Sequence, residues 1–138
     1  MLALEATVGE LRRLAHGIRP SGLDDGLEAA IRALVSASPI PVDICVGDVE
    51  MTEVVATTAY FVVAEGLANT LKHAGATSAR VSVTRCLDRL AVEVSDDGRG
   101  GARAGFGLTA LRDRVAALGG HIEVVSPAGL GTTIRAEL

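Results

Sequence analysis

Apolar and polar positions alternate along this chain in two periods, and the period changes at recognisable punctuation. Leu11 and Leu14 sit three apart in a helical pattern over Leu4 to His16, which Gly17, Pro20 and Gly22 bring to an end. Leu27, Ile31, Leu34 and Val35 form a second helical stripe. They predict a helix from about Asp24 to Ala37, with Asp24 and Asp25 placed to cap its start. Beyond Pro39 and Pro41 the period drops to two, with Val42, Ile44 and Val46 apolar, as in a strand. Gly47 and Asp48 turn the chain into a long helix, roughly Thr52 to Ala74, with Gly75 as its stop. Val81 and Val83, then Leu90, Val92 and Val94, mark two strands. The short link Leu87 to Arg89 makes them an antiparallel hairpin. A glycine-rich stretch separates these from a helix at about Leu108 to Leu118, with Leu108, Leu111, Val115 and Leu118 on one face and Gly119 and Gly120 closing it. Two last strands, His121 to Ser126 and Thr132 to Glu137, flank a turn from Pro127 to Gly131.

Three main helices and about five strands, some of them sequential hairpins, predict an α/β fold. The economical arrangement is a two-layer sandwich, with helices covering one face of a mixed five-stranded sheet. The 138 residues fit one domain, and 49% hydrophobic content supplies its core. Aromatic residues are only 2%, so Val, Leu, Ile and Ala must build that core. The net charge of -4 argues against a nucleic-acid surface, which needs a basic excess. The longest apolar run, Val54 to Ala64, is broken by Thr57, Thr58 and Tyr60 and falls short of the roughly 20 residues of a membrane span. Glu5 and Glu10 do not suit the start of a signal peptide. Cys45 and Cys86 each lie in a strand-like run, without a Cys or His at ligand spacing. They read as two buried, reduced thiols of a cytoplasmic domain.

Three clusters carry chemistry. On the long helix, Asn69 lies roughly 40° from Glu65, Lys72 roughly 20° to the other side and His73 roughly 80° away. Carboxylate and carboxamide oxygens suit a hard cation such as Mg²⁺, which keeps waters and phosphate oxygens as its other ligands. Lys72 can neutralise a phosphate as a point charge. The polar end of an amphipathic helix explains the same residues equally well. The second cluster is Asp96-Asp97-Gly98-Arg99-Gly100-Gly101, directly after a strand. A carboxylate there can accept a hydrogen bond from an exocyclic amine such as that of adenine, and glycines let the backbone approach a flat ring. A plain Asp-Gly turn has the same residues. The third, Gly105-Phe106-Gly107-Leu108 before a helix, offers free N–H groups to phosphates. With Ala110 it also fits a dinucleotide fingerprint. That motif, however, sits immediately after its strand, whereas ten residues, Ser95 to Ala104, intervene here. The acidic residue expected about 20 positions on would be Glu123, inside a strand. A nicotinamide cofactor is therefore not expected.

In this order and spacing the clusters resemble the ATP-binding domain of the GHKL superfamily, whose Bergerat fold holds ATP between a helix and a glycine-rich lid. Glu65-x-x-x-Asn69-x-x-Lys72-His73-Ala74 is similar to the N box, and Asp96-x-Gly98-x-Gly100 to the G1 box. Gly105-x-Gly107-Leu108 is similar to the G2 box, and Gly129-x-Gly131-Thr132-Thr133 to the closing glycine-threonine segment. Leu11-Arg12-Arg13-Leu14-Ala15-x-Gly17-Ile18-x-Pro20, with Gly26-Leu27, resembles the junction between dimerisation helix and catalytic domain in sensor histidine kinases of the NarX, DesK and LiaS kind. Gly107-Leu108-x-x-Leu111-x-x-Arg114-Val115 and Leu118-Gly119-Gly120 fit that group too.

The resemblance implies residues 1–20 as a remnant of the dimerisation helix and junction, and 21–138 as the ATP-binding catalytic domain. It implies that Asn69 binds Mg²⁺, that Glu65 holds a metal-bound water and assists proton transfer, and that Lys72 and His73 contact phosphates. Asp96 takes the adenine amine. Gly98, Gly100, Gly105, Gly107 and Leu108 shape pocket and lid, and Thr132 or Thr133 lies under the adenine. The implied enzyme is a protein histidine kinase using ATP and Mg²⁺. Its partners are its own dimerisation and phosphoacceptor domain and a response regulator, with membrane contact only through other parts of the full protein. None of His16, His73 and His121 has the neighbours of the family's acceptor histidine. The acceptor half is thus expected to lie outside this sequence, and the chain is expected to be a monomer without autophosphorylation of its own. A serine protein kinase of the anti-sigma-factor type and a non-catalytic nucleotide-binding module are the rival readings. The Leu11 to Leu27 junction speaks against the first, and the intact Glu65, Asn69 and Asp96 against the second. Glycine density predicts a disordered lid from Arg99 to Gly105 in the absence of nucleotide.

Overall fold

A 3-10 turn over Ser21–Asp25 leads into α1 (Leu27–Ser36), β1 (Val42–Val46) and α2 (Glu53–His73) in the computed structural model, which describes residues 21–73, 75–101 and 108–138. The hairpin strands β2 (Ala79–Cys86) and β3 (Arg89–Asp96) follow, then α3 (Thr109–Ala117), β4 (His121–Val125) and β5 (Thr132–Glu137). The expected junction, 1–20, with Leu4, Leu11, Leu14 and His16, lies outside the described residues. So do residues 102–105 of the lid expected from Arg99 to Gly105, Gly107, and the side chain of His73; the first part of that lid, Arg99 to Gly101, is not disordered but bound by main-chain hydrogen bonds to the β4–β5 turn.

One mixed sheet in the order β1-β2-β3-β5-β4 forms the first layer. β1 and β2 run parallel, joined by the α2 crossover, and the other three pairings are antiparallel. The helices form the second layer: α1 contacts β1, α2 contacts β2, β3 and β5, and α3 contacts β4. Between the layers lies one core, with Ile31, Ala59, Val62, Val63, Val81, Val83, Val92, Val115 and Ala136 fully buried. The two-layer α/β sandwich read from the periodicity is the fold of the protein.

α2 is held tightly to the sheet because a glycine faces it. A Cβ placed on Gly66 would lie 2.8 Å from Val94 Cβ. Thr52 begins the helix by accepting the Val55 N–H on its hydroxyl at 3.2 Å. By length and mean hydropathy (1.3) Glu53–Lys72 is apolar enough to cross a bilayer, more than the interrupted apolar run suggested. Its packing under the sheet, with Thr57 and Thr58 buried, accounts for that apolarity as core.

Three local expectations are corrected. Asp24 and Asp25 do not cap α1; the capping position is Gly26, at φ 98°, with no side-chain cap hydrogen bond. Leu23 is the cause. It is buried in the core, so the chain must turn inward at Leu23 and again at Leu27. A 3-10 turn closed by Gly26 N–H donating to Leu23 O at 3.0 Å achieves this. The hairpin link is two residues, Leu87 and Asp88, since Arg89 already pairs with Cys86, and Leu87 takes a positive φ of 59° to make that turn. Cys45 and Cys86 are free and exposed rather than buried. On β1 the valines and Ile44 point to the helices, so Cys45 points to the uncovered face; Cys86 lies at the exposed end of β2.

Candidate functional site

The chemistry gathers where the C-terminal half of α2 crosses the end of β3. The sheet-facing line of α2 runs through Val62, Val63, Gly66 and Thr70. Glu65, Asn69 and Lys72 lie roughly 60–120° to one side of Gly66 and form a polar flank. Glu65 and Asn69 are half-buried there, and Lys72 is exposed. Glu65, Asn69 and Lys72, which share one side of the helix in the sequence, share one side in the fold.

Asp96 is the last residue of β3 and shares a face with Leu90, Val92 and Val94, so its carboxylate turns under the helical layer. Its Oδ2 accepts a hydrogen bond from the Thr70 hydroxyl at 3.1 Å, and its Oδ1 accepts from Gly98 N–H at 2.8 Å. The same hydroxyl has Gly66 O as a second acceptor at 3.0 Å. An ionised carboxylate has about four lone-pair sites; with two engaged, Asp96 retains capacity to accept from a ligand amine. Thr70, one residue beyond Asn69, links the two clusters. Its place four residues after Gly66 marks it as sheet-facing.

The two threonines of the closing segment separate by face. Thr132 stands opposite Asp96 in the β3–β5 ladder, and Thr133 opposite Ser95. Thr132 is therefore on the side of Asp96, where its hydroxyl lies 2.6 Å from Ser126 Oγ. Thr133 is on the uncovered side. Gly98 is buried beside Asp96. Gly100, at φ 64°, lies so close to the β4–β5 turn that a Cβ would collide with the carbonyl oxygen of Pro127. Two main-chain hydrogen bonds tie this stretch to the same turn: Gly101 N–H donates to Ser126 O at 2.8 Å, and Gly129 N–H to Arg99 O at 2.6 Å. The side chain of Leu108 belongs to the core (1% exposed), so only its backbone is free to face a ligand.

Asp97, exposed, is bound on its other side. Its Oδ1 accepts from the N–H groups of Thr77 (2.8 Å) and Ser78 (3.0 Å), and its Oδ2 from their hydroxyls at 2.5 and 3.2 Å. The Thr77 hydroxyl, followed by the Ser78 and Thr77 N–H groups, holds this carboxyl well below the usual carboxylate range.

Among the described residues no three His, Cys, Asp or Glu side chains cluster as a metal cage. The oxygen donors of Asn69 and Glu65, one turn apart and half-buried, fit instead a magnesium ion that takes few protein ligands and completes its shell with water and phosphate. A separate cleft of about 810 Å³ lies at the opposite end of α2, lined by Leu23, Leu27, Val49, Met51 and neighbours, and contains none of the candidate residues.

Residues 54–138 match the family described as histidine kinase-, DNA gyrase B-, and HSP90-like ATPase. The signal transduction histidine-protein kinase/phosphatase UhpB of Salmonella typhimurium is 34% identical over 83% of this chain and 25% of its own length. The sensor histidine kinase MctS of Rhizobium johnstonii is 34% identical over 97% of this chain and 32% of its own length. The chain thus spans a quarter to a third of these curated relatives. A solved structure, the Erythrobacter litoralis EL346 blue-light activated histidine kinase, shares the fold with a TM-score of 0.66 at 24% identity, over 81% of this chain and 39% of that one. The family match runs from the first turn of α2 to the C-terminal residue and so takes in every candidate residue named above; the chain belongs to the histidine kinase-, DNA gyrase B- and HSP90-like ATPase family.

Proposed function

We propose that this chain is the ATP-binding catalytic domain of a two-component sensor histidine kinase. It hands the γ-phosphoryl group of ATP to a histidine on a dimerisation domain, for relay to a response regulator. The observation that carries the reading is the meeting of Asp96, Thr70 and Thr132 beside the Glu65–Asn69–Lys72 flank of α2. That pairs an amine-accepting carboxylate with a phosphate- and metal-binding helix. The relatives are sensor kinases, which favours this reading over an anti-sigma-factor-type serine kinase or a silent nucleotide-binding module.

In this reading Asp96 accepts from the adenine amine, with Thr132 beside it. Asn69, with Glu65 beside it, would hold Mg²⁺. Lys72 and His73 offset phosphate charge, and Gly98, Gly100, Gly105 and Gly107 belong to the pocket and lid. Bound Mg²⁺ would neutralise the charge that develops on the phosphate oxygens. The bond from the γ phosphorus to its bridging oxygen breaks, a P–N bond forms on the acceptor imidazole, and ADP leaves. Positioning and charge neutralisation do the chemistry, so little acid–base machinery is required. A cytoplasmic site of action and the partner domains belong to the same proposal.

Calorimetric titration with ATP, with and without Mg²⁺ and with GTP as control, tests it. Mg²⁺-dependent, adenine-selective binding is expected. Asn69→Ala should abolish the Mg²⁺ dependence while leaving the fold intact. Unchanged Mg²⁺-dependent binding in that variant would remove Asn69 from the metal site.

A further inference from the structure

The β2–β3 ladder ends at Ala79 opposite Asp96. One residue further on, Asp97 N–H donates to Ser78 O at a long 3.4 Å. At that point the side chain of Asp97 takes over. It accepts four hydrogen bonds from two consecutive residues, using both N–H groups and both hydroxyls. Thr77 and Ser78 belong to the loop that leaves the C-terminus of α2. Asp97 therefore fastens the segment after β3 to the segment after the nucleotide-binding helix.

The stretch 96–101 is held at three points. Asp96 ties it to Thr70 on α2, Arg99 and Gly101 tie it to the β4–β5 turn, and Asp97 ties it to the α2–β2 loop. Without the third, Asp96 keeps its ladder partners Ala79 and Thr132, but the chain from Asp97 to Gly98 loses its anchor to the α2–β2 loop, and with it the fixed position of the Gly98 N–H that orients the Asp96 carboxylate. Interactions of an ionised acceptor with several donors are the strong class of hydrogen bond, and the geometry of adenine recognition tolerates little displacement.

We infer that Asp97 is a positioning residue for the nucleotide base: it touches no substrate, and by clamping Thr77 and Ser78 it fixes the direction of the Asp96 carboxylate and the path of Gly98. This rests on the proposed adenine role of Asp96. It gives the second aspartate of Asp96-Asp97-Gly98 a task distinct from the first.

The expected signature separates base from phosphate. Asp97→Ala should weaken Mg²⁺–ATP binding about tenfold and reduce discrimination against GTP by a similar factor. Affinity for Mg²⁺–tripolyphosphate, which has no base, should not change. Asp97→Asn keeps one oxygen for the two N–H groups and should recover much of the loss. Thr77→Val with Ser78→Ala, which removes only the hydroxyl donors, should give a smaller loss that is non-additive with Asp97→Ala. Calorimetry on the whole chain reads these affinities, and amide exchange at Gly98 reports the local loosening. If Asp97→Ala does not fold, the Asn and hydroxyl variants carry the test. Folded variants with lower melting temperature but parental affinity and parental ATP-to-GTP ratio would overturn the inference and leave the proposed function standing. A parent chain that binds no adenine nucleotide would overturn both.

Discussion

Asp96 and Asp97 are adjacent and chemically identical, yet strand alternation sends their carboxylates to opposite surroundings. Asp96 turns under the helices to Thr70 and Gly98; Asp97 stays exposed and gathers the donors of Thr77 and Ser78. The depressed pKa of Asp97 has a consequence for stability. Its folded-state value lies below its unfolded one, so the unfolded chain binds the extra proton in the window between them. The clamp is fully present above the ordinary aspartate range and is lost as pH falls below about 4. Urea midpoints measured down through that window should fall for the parent. In Asp97→Ala this part of the acid limb should flatten, and a parallel decline in both proteins would show that other carboxylates govern it. The sequence made both aspartates visible as a cluster, but not their division of labour. That depends on which donors the α2–β2 loop brings across, 19 and 20 residues away. The choice between Thr132 and Thr133 was open for a related reason: it turns on the β3–β5 register, a long-range pairing.

At the scale of the element, α2 and β3 are one unit, because Gly66 lets the helix backbone approach Val94. Gly66→Ala sets two effects against each other. Helix propensity favours alanine by up to about 1 kcal/mol, while overpacking a closed core costs typically about 1–3 kcal/mol. Val94 is only 2% exposed and the contact is with its Cβ, so no flexible side-chain end can swing aside. Overpacking should win, with a net loss of about 1–2 kcal/mol in chemical denaturation. Nucleotide affinity should fall with it, since Asn69, Thr70 and Asp96 shift apart. A neutral or stabilising result would mean that α2 slides along the sheet more freely than its packing suggests. Helix and strand periods were legible here because α2, β3 and β5 each present an apolar face to the one core. Helix starts were less so: the carboxylates at 24 and 25 resembled a cap, but burial of Leu23 moved the start of α1 to a glycine.

At the scale of the whole molecule, the helices cover one side of the sheet, and among the described residues the other side carries mostly polar side chains, with Val125 exposed among them. Arg135 bridges Glu93 at 3.1 Å and Glu137 at 3.4 Å on that face, with His121 3.5 Å from Glu137. This asymmetry exposes the two cysteines that a strand pattern alone predicts to be buried. Alternation in a strand says that one set of residues is buried; it gives the second set to solvent only when no second layer covers it. Val42, Ile44 and Val46 claimed the covered face, so Cys45 had to take the open one, and Cys86 follows at the exposed end of β2. A thiol at such a position reacts at the rate its ionisation allows, without waiting for unfolding. Ellman's reagent should therefore titrate both of the chain's two cysteines in the native protein, in one fast phase, with the same stoichiometry as in denaturant. Saturating Mg²⁺–ATP should leave that phase unchanged, because the candidate site lies on the helical side of the sheet. Thiols that react only after denaturation would mean that the outer face is covered in solution. Protection by ATP would mean that nucleotide binding reaches through the sheet to a face on which, among the described candidate residues, only Thr133 lies.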